Sequence, residues 1–134
     1  MKTIRRGFGV ALLLGAVALL GCAEAEPKSY AVSGSVKLDG QPIPYGEVLF
    51  TPDAKQQNSG PQGIAEIHDG QFDTQALGGK GMAGGPTVIR VNGMSGPGGK
   101  TLCEYELRVD LPRADTTHDI EVPKSAAVER QSDI

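Results

Sequence analysis

The chain is 134 residues long, room for one domain of ordinary size. Its 13 lysines and arginines stand against 16 aspartates and glutamates, a balance that disfavours nucleic-acid binding, which depends on a basic surface. Two cysteines and no tryptophan leave no disulfide framework and no indole platform for stacking on sugars.

Met1 to Arg6 carries Lys2, Arg5 and Arg6, and Gly7 to Gly21 is an uncharged stretch of 15 residues. This is the layout of a secretory signal, residues 1–21, with a helical apolar core. The stretch is shorter than the ~20 residues that a permanent transmembrane helix needs. Removing it takes the formal charge from −3 to −6. The stretch ends in Leu19-Leu20-Gly21-Cys22, which resembles the lipobox of bacterial lipoproteins. The resemblance implies that the Cys22 thiol is acylated and that the chain is then cut before it. The protein is thereby anchored to the membrane of the cell envelope, each buried acyl CH₂ contributing ~0.8 kcal/mol. Ala23 stands where an aspartate would mark inner-membrane retention, so the implied destination in a host with two membranes is the outer one. Residues 22–29 form a polar tether, and the stretch from Ala23 to Ser29 spans at most ~25 Å when extended.

The domain proper, residues 30–123, reads as strands. Tyr30, Val32, Gly34, Val36 and Leu38 alternate with Ala31, Ser33, Ser35 and Lys37, the period of a half-buried strand. Asp39-Gly40 supplies a turn needing positive φ, and Pro42 and Pro44 keep the connection extended before a strand at Glu47 to Thr51. Pro52 to Gly63 is a loop. Ile64 to His68 and Gln71 to Thr74 flank Asp69-Gly70 as a hairpin, with Ile67 and Phe72 as core residues. Gly78 to Gly85 is a flexible connection, and Thr87 to Asn92 turns Ile89 and Val91 inward. Between Leu102 and Leu111 the residues Cys103, Tyr105, Leu107, Val109 and Leu111 alternate with Glu104, Glu106, Arg108 and Asp110, which no helix sorts onto two faces. Thr117 to Val122 closes the domain, and residues 124–134 read as a flexible tail. Seven short strands with turns about every ten residues predict an all-β fold, an antiparallel two-sheet sandwich.

Val32-x-Gly34-x-Val36-x-Leu38-Asp39-Gly40-x-Pro42-Ile43-Pro44, then Val48-x-Phe50, resembles the opening of carboxypeptidase-regulatory-like domains, and Asp69-Gly70-x-Phe72 is similar to their second signature. The resemblance covers residues 30–74, and more loosely Gly85 to Val91, where Thr87 stands for the usual tyrosine. It implies a transthyretin-like sandwich, and the whole chain is similar to small bacterial lipoproteins that carry this domain.

Few residues suggest chemistry. Gly93 to Thr101 resembles a phosphate-binding P-loop, but five residues separate the outer glycines where four are needed, and a strand follows instead of a helix. His68 and His118 have no ligand-spaced neighbours. With Tyr30, Tyr45 and Tyr105 they supply the bare inventory of the ring-cleaving dioxygenases, related sandwich enzymes that bind iron through two Tyr and two His, yet the spacing gives no support. The C-terminus lacks the tail of the transthyretin-related hydrolases. Cys103 reads as a small buried hydrophobe instead of a nucleophile. Glu104, Glu106, Asp110, Asp115, Asp119 and Glu121 read as a solvated face instead of a Ca²⁺ site. Lys37 points outward and no asparagine occupies the last strand, which disfavours an isopeptide crosslink.

These readings predict a membrane-anchored, non-catalytic envelope lipoprotein: a structural or interaction module that contacts the membrane through lipid on Cys22, partners an envelope protein or the cell wall, and needs no cofactor or metal. The alternatives are a metal-dependent dioxygenase or hydrolase, or a small-ligand-binding protein using its glycine-rich loops, on the same fold.

Overall fold

A computed structural model describes residues 28–128. The signal, Cys22 and most of the tether lie outside the described residues, as do residues 129–134.

The described chain is all-β. It contains β1 (Val32–Leu38), β2 (Gln41–Pro42), β3 (Tyr45–Pro52), β4 (Gly63–His68), β5 (Gln71–Asp73), β6 (Gly85–Met94), β7 (Thr101–Leu111), β8 (Thr116–Thr117) and β9 (Ile120–Val122), with 3₁₀ turns at Ala54–Gln56 and Lys124–Ala126. Seven strands follow one antiparallel path, β2-β1-β5-β4-β3-β6-β7, strongly curled into a half-barrel.

Local chemistry accounts for the path. Asp39-Gly40 has φ of 49° and 77°, and Asp69-Gly70 has 50° and 76°. Two consecutive positive values give the primed turn that matches strand twist, so each pair closes a tight hairpin. The alternation places Val32, Val36, Val48, Phe50, Ile67, Phe72, Ile89, Val91 and Cys103 in one buried core. Ile67 and Phe72 face each other across β4 and β5, and the Phe50 and Phe72 rings pack at 5.8 Å. Fully burying each such ring contributes on the order of 1.5–3 kcal/mol.

Four features depart from the expected pattern. The closing segment is parallel to β1, not antiparallel: Val32 is in register with Thr116 and Val36 with Ile120. It is also broken, because the backbone of His118 passes over Gly34, where an ideal Cβ would lie 2.1 Å from the His118 carbonyl oxygen. The glycine-rich stretch before β6 is pinned as well. Met82 is fully buried and exchanges backbone hydrogen bonds with Tyr30, at 2.8 and 2.9 Å. Leu102 is an extra residue in the β6–β7 ladder, where Met94 opposes Thr101 and Gly93 opposes Cys103, so Thr101 stands on the outer face. Residues 124–128, at the start of the expected tail, fold back: Val128 N–H donates to Leu102 O at 2.9 Å and Ala127 bridges Cys103.

The registers fix two ends. Lys28 enters at the end that holds the connections 53–62, 74–84 and 112–115. The two Asp-Gly turns, residues 95–100 and the second 3₁₀ turn lie at the far end.

Candidate functional site

Strand register brings a row of polar side chains onto the outer face. Ser35 on β1 is opposite Gln71 on β5, Gln71 opposite His68 on β4, and His68 opposite Tyr45 on β3. The next row holds Ser33 and Asp73, with Glu66 two residues before His68 on the same face. Together with Asp119 and Thr117 from the closing segment, these residues other than Tyr45 line an open groove of about 560 Å³.

Two pairs organise it. Asp119 Oδ1 accepts the Ser35 backbone N–H and the Ser35 hydroxyl, at 2.9 and 3.0 Å. These hydrogen bonds, the backbone one foremost, hold the Asp119 carboxyl below the ordinary aspartate value. His68 Nε2 meets Glu66 Oε2 at 2.9 Å, an ion pair when the imidazole is protonated, and the Tyr45 ring stands edge-on to His68 at 5.6 Å. The Ser35 hydroxyl thus serves a carboxylate and the histidine serves a different one. β5 separates them, and two strand spacings place Ser35 and His68 about 10 Å apart, beyond the ~3 Å across which a base takes a hydroxyl proton. The groove offers carboxylates and hydroxyls to a polar or cationic ligand; it does not form a nucleophile–base pair.

The residues inventoried for iron are dispersed. His68 and Tyr45 are neighbours on the outer face, His118 lies in the break between β8 and β9, Tyr30 bridges Met82 at the N-terminal end, and Tyr105 is on the inner face of β7 packed against the core. Among the described residues no three or more His, Cys, Asp or Glu side chains gather as a metal site. The six acids considered for Ca²⁺ also separate. Glu106 pairs with Arg90 at 3.2 Å, Asp115 accepts the Ala31 N–H at 2.8 Å, and Asp119 serves Ser35.

The glycine-rich loop before β7 spends amides on itself. Ser95 N–H donates to Lys100 O, Lys100 N–H to Ser95 Oγ, and Gly99 N–H to Gly96 O, each at 2.9 Å. Cys103 is fully buried. Burial pushes its thiol up, the nearby Glu104 charge adds to this, and a hydrogen bond with the Gly93 backbone opposes it.

One group escaped the sequence reading. Asp53 is 2% exposed, its Oδ2 lies 2.9 Å from Arg108 Nη1, and its Oδ1 accepts the Lys55 N–H. An aspartate followed by Ala-Lys-Gln carries a capping signal, but nothing local signals an arginine 55 positions away.

No protein-family model and no curated protein matches the chain.

Proposed function

We propose that this chain is a lipid-anchored, non-catalytic protein of the cell envelope that acts as a structural or interaction module. The observation that carries the reading is Leu19-Leu20-Gly21-Cys22 at the end of a 15-residue uncharged stretch behind three cationic residues. The arrangement of the groove supports binding over catalysis, since its hydroxyl and its imidazole are committed to different carboxylates. In this reading the curled sheet is a carboxypeptidase-regulatory-like domain, the two arms of the curl standing for the two sheets of a transthyretin-like sandwich. The sequence pattern over residues 30–74 supports that finer assignment.

The deciding experiment is intact-mass analysis of the native protein extracted from its own envelope. The expected product begins at an acylated Cys22 and partitions with membranes, and Cys22→Ala abolishes the acyl mass. A soluble envelope product with an unmodified Cys22 refutes the anchor. Metal analysis of the same preparation tests the enzymatic alternative, which stoichiometric iron or zinc would favour.

A further inference from the structure

The end of the domain where Lys28 enters differs from the rest of the molecule in two respects. The first is charge. Residues 28–128 contain twelve carboxylates against nine lysines and arginines, yet this end presents Lys28, Lys55, Lys80 and Arg113, all exposed. Of the acids there, Asp53 is buried against Arg108, while Asp73 and Asp115 accept backbone N–H groups of Gln75 and Ala31. The four cations outnumber the three remaining carboxylates, since Asp110, paired with Pro86, also stands at this end. The far end has Lys100 and Lys124 against Asp39 and Asp69, and the outer face of β7 carries Glu104, Glu106 and Asp110 against Arg108.

The second is Leu77, 97% exposed where the other large apolar side chains among the described residues are mostly covered. Its exposure is built in. Gly79 N–H donates to Ala76 O at 2.9 Å and Gly78 has φ of 81°, the signature of a type II turn with Leu77 at its outer corner. Lys80, three residues on, is fixed by bridging Ile64. An apolar tip beside cations, at the end where the tether leaves, is the chemistry of an interfacial contact with anionic lipid.

We infer that this end docks on the membrane, Leu77 entering the headgroup boundary and Lys55, Lys80 and Arg113 facing anionic phospholipid headgroups. The inference rests on the lipid anchor proposed above. One leucine and a few cations bind weakly alone. The six chain steps from Cys22 to Lys28 reach at most ~22 Å, so the anchor supplies the local concentration that makes the weak contact persist. Docking sets the orientation: the far end, with its two Asp-Gly turns, projects away from the membrane.

The test uses the native lipidated protein in phosphatidylcholine vesicles with and without phosphatidylglycerol, read by the rate of lysine acetylation at each site. Lys55 and Lys80 are expected to react at least about threefold more slowly on the anionic vesicles, with Lys100 and Lys124 unchanged. Leu77→Asp, which removes no buried contact, is expected to restore their reactivity while the protein still floats with the vesicles. Flotation with Lys55 and Lys80 equally reactive on both compositions overturns docking and leaves the anchor standing. Shielding that survives Leu77→Asp overturns the role of the loop. Protein that fails to float overturns anchor and docking together.

Discussion

Asp119 completes a ladder that the backbone leaves open at Ser35. In the parallel pairing of β1 with the closing segment, Thr116 N–H donates to Ala31 O and His118 N–H to Ser33 O, at 2.9 and 2.8 Å. The next acceptor for the Ser35 N–H is a side chain, Asp119 Oδ1. A carboxylate thus spans the break between β8 and β9, and its ionised form receives both Ser35 hydrogen bonds.

The sign of the pH dependence follows. A carboxyl held below its unfolded value favours folding above the ordinary aspartate value of about 3.9, and the contribution fades as pH falls through the lower folded value. Asp119→Ala is expected to lower the thermal midpoint at neutral pH, and the gap to wild type is expected to close in acid. Midpoints recorded across that range check it, and a gap of constant size shows that ionisation is irrelevant.

Gly34 and Gly40 separate two reasons for glycine. At Gly34 an added Cβ meets His118 O at 2.1 Å, whereas at Gly40 nothing lies within 4 Å but φ is +77°. Gly34→Ala must push the closing segment off β1, with an expected cost of about 3 kcal/mol. Gly40→Ala costs only backbone strain, on the order of 1 kcal/mol. Urea unfolding of both variants compares them, and equal costs would mean that the segment yields easily.

What the sequence revealed was local in origin. The alternation from Cys103 to Leu111 and both Asp-Gly turns need only neighbouring residues, and each appears where expected. The parallel pairing of β8 and β9 was hidden because alternation reports which face is buried and says nothing about strand direction. Met82 was hidden for another reason: glycines on either side suggest freedom, while its burial depends on Tyr30, 52 positions earlier. The groove was legible only as its separate residues, since joining Ser35 to His68 requires the register of β5 between them.

Cys103 separates a structural thiol from a reactive one. Its Sγ lies 2.7 Å from an ideal Cβ at Gly93, and Ile43 carbons crowd the same point, so there is little room for solvent or reagent. Native protein is expected to resist thiol reagents at neutral pH until denatured. Cys103→Ser is expected to cost about 1–3 kcal/mol by burying a poorly paired hydroxyl. Because the folded thiol value is raised, stability is full below the unfolded value of about 8.5 and declines as pH rises beyond it. Fast labelling of the native state would contradict this and return the enzymatic alternatives to consideration.

The pair of Asp53 and Arg108 joins the loop after β3 to the edge strand β7, and its two members are unequal. Asp53 is nearly inaccessible, while the Arg108 side chain is 44% exposed and also lies 3.9 Å from Glu106. Removing the cation strands a covered carboxylate, which costs ~3–5 kcal/mol when both members are buried. Here water enters as the guanidinium leaves, and that screening lowers the expected cost of Arg108→Ala to about 1–3 kcal/mol. Removing the anion instead also takes away the acceptor for the Lys55 N–H that starts the 3₁₀ turn, so Asp53→Ala is expected to cost more than Arg108→Ala. The double variant is then expected to lie well short of the sum of the two. A urea double-mutant cycle reads this directly, and additive losses would show that the two residues stabilise the domain independently.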